Sequence, residues 1–184
     1  MTYSASMHAR NFALWAAARA AQRGATGATT RAFAAGFEGA GLETEFAATA
    51  TAPWSAGKFD EAHERWCSDL VARFQATASR EAVEKRSFSH GRVAKFLNVF
   101  LKAAYIIPNR TMHRGFIDVV HPPIDRRLLA AIPRSNLSKS EKKVLKENWT
   151  KYERDGYFAA IAILRKVNGD GEPFWKIERY WTPA

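Results

Sequence analysis

Residues 91–105 read GRVAKFLNVFLKAAY, and this stretch has the periodicity of a helix. Apolar side chains recur three and four positions apart, at Val93, Phe96, Leu97, Phe100, Leu101 and Ala104. Polar side chains follow the same spacing on the other side, at Arg92, Lys95, Asn98 and Lys102. Because a helix turns every 3.6 residues, this spacing predicts an amphipathic helix, which Pro108 ends.

Helical patterns continue on both sides of this stretch. In chain order, we expect helices over 4–23, one or two within 31–56 joined by a turn at 39–41, and others over 59–74, 91–105, 124–132, 139–146, 151–167 and 174–181. Ser138 and Glu141 match a capping box, which favours a helix start at that point. Residues 47–53 and 108–121 are expected to be loops. Since no stretch alternates apolar and polar residues for long, the predicted fold class is all-α.

The charge balance indicates a polyanionic partner. The 184 residues include 28 lysines and arginines against 18 aspartates and glutamates, which gives a formal net charge of +10 at pH 7. Such a surplus attracts phosphate backbones, because neutralising them releases condensed counterions. Nucleic acid is therefore the expected partner, and the alternative is a cationic surface that serves solubility alone.

The apolar content favours a packed domain. Hydrophobic residues make up 47% of the chain, with six tryptophans and twelve phenylalanines, which argues against disorder. The single cysteine, Cys67, excludes an internal disulfide and is expected to be a small buried hydrophobe. No run approaches the ~20 apolar residues of a membrane span and the N-terminus lacks a signal-peptide pattern, so we expect a soluble, cytoplasmic monomer without membrane contact.

Lys95 and Asp125 are singular among the charged residues. Lys95 lies one turn into the predicted helix, where the helix dipole and partial burial would both lower the pKa of its amine and favour a nucleophile. Asp125 follows His121-Pro122-Pro123-Ile124, and the two prolines would fix its carboxylate so that it can stabilise a cation or orient a water. The alternatives are an ordinary surface lysine and an acidic helix cap.

Two segments carry a resemblance to a known family. Residues 91–105 and the segment Pro123-Ile124-Asp125-Arg126-Arg127-Leu128-Leu129 resemble the helix-hairpin-helix DNA glycosylases, nearest their archaeal 8-oxoguanine branch. The resemblance covers residues 87–130, and the 30 positions from Lys95 to Asp125 (125 − 95) suit the long intervening loop of that branch. Of the family hairpin, usually Leu-Pro-Gly-Val-Gly, only Gly91 is present, and the four-cysteine iron–sulfur loop of some members is absent.

This resemblance implies an architecture and a chemistry. Residues 1–184 would form a single glycosylase-like domain of two small helical lobes around a basic cleft, with 87–130 as the helix-hairpin-helix and catalytic segment. Lys95 would attack the sugar C1′ of a modified nucleotide and Asp125 would assist. No cofactor, metal or metal cluster is expected, since no histidine has an evident ligand spacing and His63 is expected on a solvated helix surface.

The resemblance also assigns contacts to other residues. Phosphate contacts are expected from Gly91, Arg92, Arg110, Arg114, Arg126, Lys142 and Lys143, with the Gly91 turn offering backbone amides. The pocket for an extruded base is expected to include Trp54, Trp149, His90, Asn98 and His121. Further candidate walls are Trp15, Phe174, Trp175 and Trp181. The alternatives are core packing for the aromatic residues and a solvated lysine face for 139–146.

The resemblance therefore implies a DNA N-glycosylase that excises a modified base from double-stranded DNA and leaves an abasic site, with lyase activity if Lys95 forms a Schiff base. The base would be an oxidised purine or, since the chain is also similar to bacterial anti-phage glycosylases, a glucosylated hydroxymethylcytosine. These substrates would place the protein in repair or in antiviral defence. A non-catalytic helical DNA-binding protein and an RNA-binding effector such as a toxin are the alternatives.

Overall fold

The computed structural model describes residues 3–25, 29–49, 53–84, 87–108 and 114–182, and over these residues the chain is helical without a β-strand. Its α-helices are α1 (Ala5–Gln22), α2 (Thr30–Ala40), α3 (Leu42–Thr49), α4 (Ala56–Thr77), α5 (Arg80–Glu84), α6 (His90–Leu101), α7 (Arg114–Ile117), α8 (Arg126–Ala131), α9 (Lys139–Val144) and α10 (Arg154–Asn168). A π-helical segment, Lys102–Ile106, continues α6, and 3-10 helices span Trp149–Lys151 and Phe174–Tyr180. The all-α prediction is confirmed. None of the described helices is long and apolar enough to cross a membrane.

Short polar side chains begin most of the longer helices. In four of them a hydroxyl oxygen accepts the backbone N–H three residues further on, at Ser4, Thr29, Ser55 and Ser89. These bonds satisfy amides that have no partner within the helix. The predicted capping box of Ser138 and Glu141 is present at α9. Gly41, with φ of 65°, separates α2 from α3 where a turn was expected.

Helix α6 lies at the centre of the molecule. Helices α1 and α4 pack against it, and α2 packs against both of them. Phenylalanine rings from α2, α4 and α6 interlock at centroid distances of 4.5–5.5 Å: Phe33, Phe37, Phe74, Phe96 and Phe100. The buried apolar residues of the described chain form one connected core, and the division into two lobes stays a prediction.

The polar side of α6 is partly buried as well. Asn98 is fully buried, and its amide donates to the hydroxyl of Tyr157 at 3.0 Å. That hydroxyl lies 2.9 Å from His121 Nδ1, and His121 Nε2 lies 2.7 Å from Asp60 Oδ1. Arg165 closes the chain of bonds with two contacts of 2.6 Å to Asp60. Buried polar groups thus satisfy one another, as the low dielectric of the interior requires.

Several element boundaries differ from the sequence prediction. Residues 47–49 belong to α3 instead of a loop, and the four-residue α7 lies within the predicted loop 108–121. Helix α8 begins at Arg126 instead of near residue 124, because Asp125 is its N-cap. The last predicted helix is a 3-10 helix. Segments this short show too few turns for apolar periodicity to reveal them.

Candidate active site

Lys95 and Asp125 are in contact at the mouth of a cleft. Lys95 extends from the second turn of α6, and its Nζ lies 3.1 Å from Asp125 Oδ2. Asp125 caps α8 and follows the buried segment 122–124. The two side chains are 11% and 19% exposed, so the ion pair is shielded but reachable from solvent. The structure brings together the two residues that the sequence singled out.

Three groups hold the carboxylate of Asp125. Its Oδ1 accepts the backbone N–H of Leu128 at 2.9 Å, which is the capping bond of α8. Its Oδ2 accepts hydrogen bonds from Lys95 and from the indole N–H of Trp181, the latter at 3.2 Å. The interpretation of Asp125 as a helix cap is therefore confirmed, and its catalytic role stays a prediction. A carboxylate with three donors has a fixed orientation.

The ring of Trp149 covers the amine of Lys95, with Nζ 4.6 Å from the ring centroid. The turn that carries Trp149 is held against the start of α6, since the Gly91 N–H donates to the Tyr152 carbonyl at 2.8 Å. A Cβ at position 91 would lie 2.2 Å from the Trp149 carbonyl oxygen. Glycine at position 91 therefore permits the close approach that places Trp149 over Lys95.

Burial and pairing shift the pKa values of both groups. Burial lowers the pKa of Lys95 below its ordinary value of 10.5, and Arg23 and Arg127 add to this effect against the opposing effect of Asp125. Burial by itself would raise the pKa of Asp125, but Lys95, the Leu128 amide and Trp181 outweigh it and lower that pKa. The site therefore combines an ionised carboxylate with an amine that loses its proton more readily than an exposed lysine.

Two cavities of different character share this pair. A basic cleft of about 520 Å³ is lined, besides the pair, by Arg23, Arg126, Arg127 and Trp149 among others. A mostly apolar cavity of about 350 Å³ is lined, besides the pair, by Phe12, Ala16, Val99, Pro123 and Trp181 among others. The three arginines are exposed. The arrangement can accept an anionic group next to a flat apolar one, with the amine between them.

The other predicted phosphate contacts are dispersed. Arg126 lines the basic cleft, whereas the exposed Arg114 of α7 does not. Lys142 and Lys143 lie on α9, are partly and fully exposed, and do not line the cleft either. Arg110 lies outside the described residues. Of the predicted phosphate contacts in the described part of the chain, Arg126 is the residue that lines the cleft beside Lys95.

The structure contradicts two of the predicted phosphate contacts. Arg92 is 6% exposed, and its guanidinium donates to the carbonyls of Ala21, Arg23 and Gly24 at 2.9–3.0 Å. Because these carbonyls end α1, Arg92 caps that helix instead of binding DNA. The amide of Gly91 is also engaged, by the Tyr152 carbonyl, so it is not available to a phosphate.

Four of the five predicted base-pocket residues are buried in the core, and only Trp149 lines the cleft. Trp54 is 9% exposed and packs against Phe59, Trp66 and Phe116. Asn98 and His121 belong to the buried chain of hydrogen bonds described above. His90 lines a different cavity, of about 530 Å³, which does not contain Lys95. None of these four residues lines either cavity beside Lys95, because packing encloses Trp54, Asn98 and His121 and because His90 faces another cavity.

Sequence reasoning missed several residues at the site, among them Arg23, Arg127, Phe12 and the Lys102–Glu178 ion pair. Arg127 lies two positions after Asp125 at the start of α8, and this proximity was a usable signal. Arg23 and Phe12 reach the site only because α1 packs along α6, which no local pattern reveals. Trp181 was considered as a wall, but its bond to Asp125 depends on the fold.

Comparison of the chain with protein-family models, with curated proteins and with solved structures finds no match. A functional assignment therefore depends on the geometry of the site.

Proposed function

We propose that this protein is a DNA glycosylase that excises a modified base, with Lys95 as the nucleophile and Asp125 as the group that assists it. The supporting observation is the 3.1 Å contact between amine and carboxylate at the junction of a basic cleft and an apolar cavity. A reactive amine, a fixed carboxylate and arginines for phosphate are the groups that such a reaction requires.

The proposed chemistry is a displacement at the C1′ carbon of the sugar. The Lys95 amine, after losing its proton to water, forms a bond to C1′ while the bond from C1′ to the base breaks. The base leaves with the electron pair and takes up a proton. The carboxylate stabilises the positive charge that develops on the sugar. Opening of the sugar ring gives a Schiff base, which either water hydrolyses or β-elimination resolves with cleavage of the 3′ C–O bond.

The two cavities suit the two parts of an extruded nucleotide. Chemistry on a base requires that the base leave the duplex stack, and the extruded base then needs flat apolar walls. Phe12, Pro123 and Trp181 offer such walls in the smaller cavity. Arg126 and Arg127 in the basic cleft suit the phosphates on either side of the nucleotide. In this proposal the glycosidic bond lies beside the Lys95 amine, where the two cavities meet.

Borohydride trapping tests the proposal. Duplexes that each contain 8-oxoguanine, glucosylated hydroxymethylcytosine or an abasic site are incubated with the protein and the reductant, and alkaline cleavage of abasic products is measured in parallel. We expect a covalent adduct with the wild type and a loss of at least about 100-fold in Lys95→Gln. Product from the 8-oxoguanine duplex would favour a role in repair, and product from glucosylated hydroxymethylcytosine would favour antiviral defence.

Lys58 provides a matched control. Its Nζ also lies over a tryptophan ring, 4.7 Å from the centroid of Trp54, but outside both cavities. Lys58→Gln should therefore form the adduct at the wild-type rate. Duplex binding without adduct or abasic product across the panel would overturn the proposal and leave a non-catalytic DNA-binding protein. A preference for single-stranded RNA would instead favour an RNA-binding effector.

A further inference from the structure

A second cluster of reactive side chains lies in the core, and the proposed glycosylase reaction does not use it. His63 and Cys67 lie one turn apart on α4, and His90 is the first residue of α6. One potential metal-ligating atom from each residue lies within 4.8 Å of the other two. His63 and Cys67 are fully buried and His90 is 6% exposed. Imidazole and thiolate together are the donors that zinc prefers.

Hydrogen bonds fix the tautomer of His63. The side-chain nitrogen of Asn98 donates to the Pro122 carbonyl at 3.1 Å, which assigns the orientation of the amide. The Asn98 oxygen therefore accepts from His63 Nε2 at 2.8 Å, and Nε2 carries the proton. The lone pair of His63 is then on Nδ1, which lies 3.6 Å from Cys67 Sγ. A metal-binding histidine is commonly oriented through its second nitrogen in this way.

His90 supplies the second, independent observation. Its Nε2 atom is enclosed and has no hydrogen-bond partner in the part of the chain that the structure describes. A buried nitrogen without a partner is unfavourable, and most such atoms in folded proteins are satisfied. A metal ion bound between α4 and the start of α6 would satisfy it.

His90 also lines the cavity of about 530 Å³ described above, whereas His63 and Cys67 do not line it. An ion at the cluster would therefore lie on the inner side of His90.

We propose that His63, Cys67 and His90 form a zinc site that links α4 to the first turn of α6. Ligands about 2.0–2.3 Å from a tetrahedral zinc ion lie about 3.5 Å from one another, and the His63–Cys67 pair already has this spacing. The three ligand atoms lie within 4.8 Å of one another, so His90 has to approach the other two when the ion binds. Binding replaces the thiol proton of Cys67, which leaves to solvent, and a water would take the fourth position.

Cobalt substitution and zinc titration of the untagged, chelator-treated chain test this site. Co²⁺ should give a thiolate-to-metal charge-transfer absorption, and because Cys67 is the single cysteine in the sequence, that band identifies its sulfur directly. Zinc should displace cobalt and bind one ion per chain. At a free zinc concentration about 100 times its Kd, Tm should rise by about 5–10 °C.

Variants separate this site from adventitious binding. Cys67→Ala and His90→Ala should each weaken zinc binding by at least about 10-fold. Changing a residue that only orients a metal ligand already costs about 10- to 100-fold, and loss of a ligand should cost no less. His8→Ala, at an exposed histidine of α1, should leave binding unchanged. Zinc affinity that survives both ligand substitutions, or a wild-type chain that gives no thiolate–cobalt band, would overturn the proposal. If the two variants do not fold, the cobalt band of the wild type decides.

Discussion

At the residue scale, Lys95 and Asp125 affect the folded state in opposite directions. Folding lowers the pKa of Lys95, so the charged amine costs stability at neutral pH, and this cost declines as the pH rises toward 10.5. Folding also lowers the pKa of Asp125, so its carboxylate stabilises the fold above its unfolded pKa. That contribution is lost as the pH falls through the folded value.

We therefore expect Lys95→Gln and Asp125→Asn to change the free energy of unfolding differently. Lys95→Gln removes a largely buried charge and leaves Asp125 its bonds to Leu128 and Trp181, so stability should be unchanged or higher by about 1 kcal/mol. Asp125→Asn leaves the ammonium without its counter-charge and weakens the cap of α8, which should cost about 1–3 kcal/mol. Urea unfolding at pH 7 measures both, and a Lys95→Gln protein that is the less stable of the two would contradict this reasoning.

The pH dependence of adduct formation also follows from the environment of Lys95. Only the free amine attacks a sugar carbon, and burial lowers the pKa of Lys95 below 10.5. The single-turnover rate of trapping on DNA with an abasic site should therefore rise with pH and level off below that value. A rate that is independent of pH, or that is still rising at 10.5, would count against Lys95 as the nucleophile.

At the scale of elements, the contact between α6 and the Trp149–Lys151 turn shapes the site. An alanine at position 91 would place Cβ 2.2 Å from the Trp149 carbonyl, so Gly91→Ala should lower the free energy of unfolding by about 1–3 kcal/mol and slow adduct formation. Gly57→Ala, in the first turn of α4, is the matched control because no atom lies within 4 Å of its added Cβ. That control should be neutral or stabilising by up to about 1 kcal/mol, measured by urea unfolding. Equal effects of the two substitutions would exclude this role of Gly91.

Local signals predicted the long helices and their starts but not the short elements. Apolar spacing identifies α1, α4, α6 and α10 because each has several turns over which a pattern can repeat. Helix α7 has four residues, too few for that signal. His63 was expected on a wet surface since Asp60 and Glu64 flank it, yet tertiary packing places it against Asn98. Periodicity describes a face of a helix and does not identify a partner for each polar group.

At the scale of the whole molecule, the net charge of +10 predicts binding that weakens with salt. Arg126→Gln and Arg127→Gln, in the basic cleft, should each weaken duplex binding and reduce the slope of log K against log salt by about 1. Arg80→Gln is the control, because that side chain is 92% exposed and pairs with Glu84 away from the cleft. Fluorescence anisotropy with unmodified duplex measures the slopes. If Arg80→Gln reduces the slope as much as the two cleft variants do, the attraction is diffuse and the protein has no defined binding surface for DNA.

The candidate site was only partly predictable at this scale. Lys95 and Asp125 were each singled out by their local context, and a resemblance then joined the two distant segments that carry them. Arg92 was predicted to bind a DNA phosphate, but its guanidinium donates to carbonyls at the C-terminal end of α1. The sequence alone does not distinguish an arginine that caps a helix from one on the surface. Arg23 joins the cleft because α1 lies along α6. The pairing of Lys95 with Asp125 was thus predictable from sequence, whereas the surroundings of the pair depend on packing between helices.

The double engagement of Asp125, as cap of α8 and as partner of Lys95, has an evolutionary consequence. If the proposed reaction is the protein's function, a lineage that no longer needs it is free to replace Lys95, since the charged lysine destabilises the fold, while selection for folding alone still retains the aspartate. Inactive descendants of this protein should therefore be recognisable by a lost lysine beside a retained aspartate. The reverse combination should be rare among them.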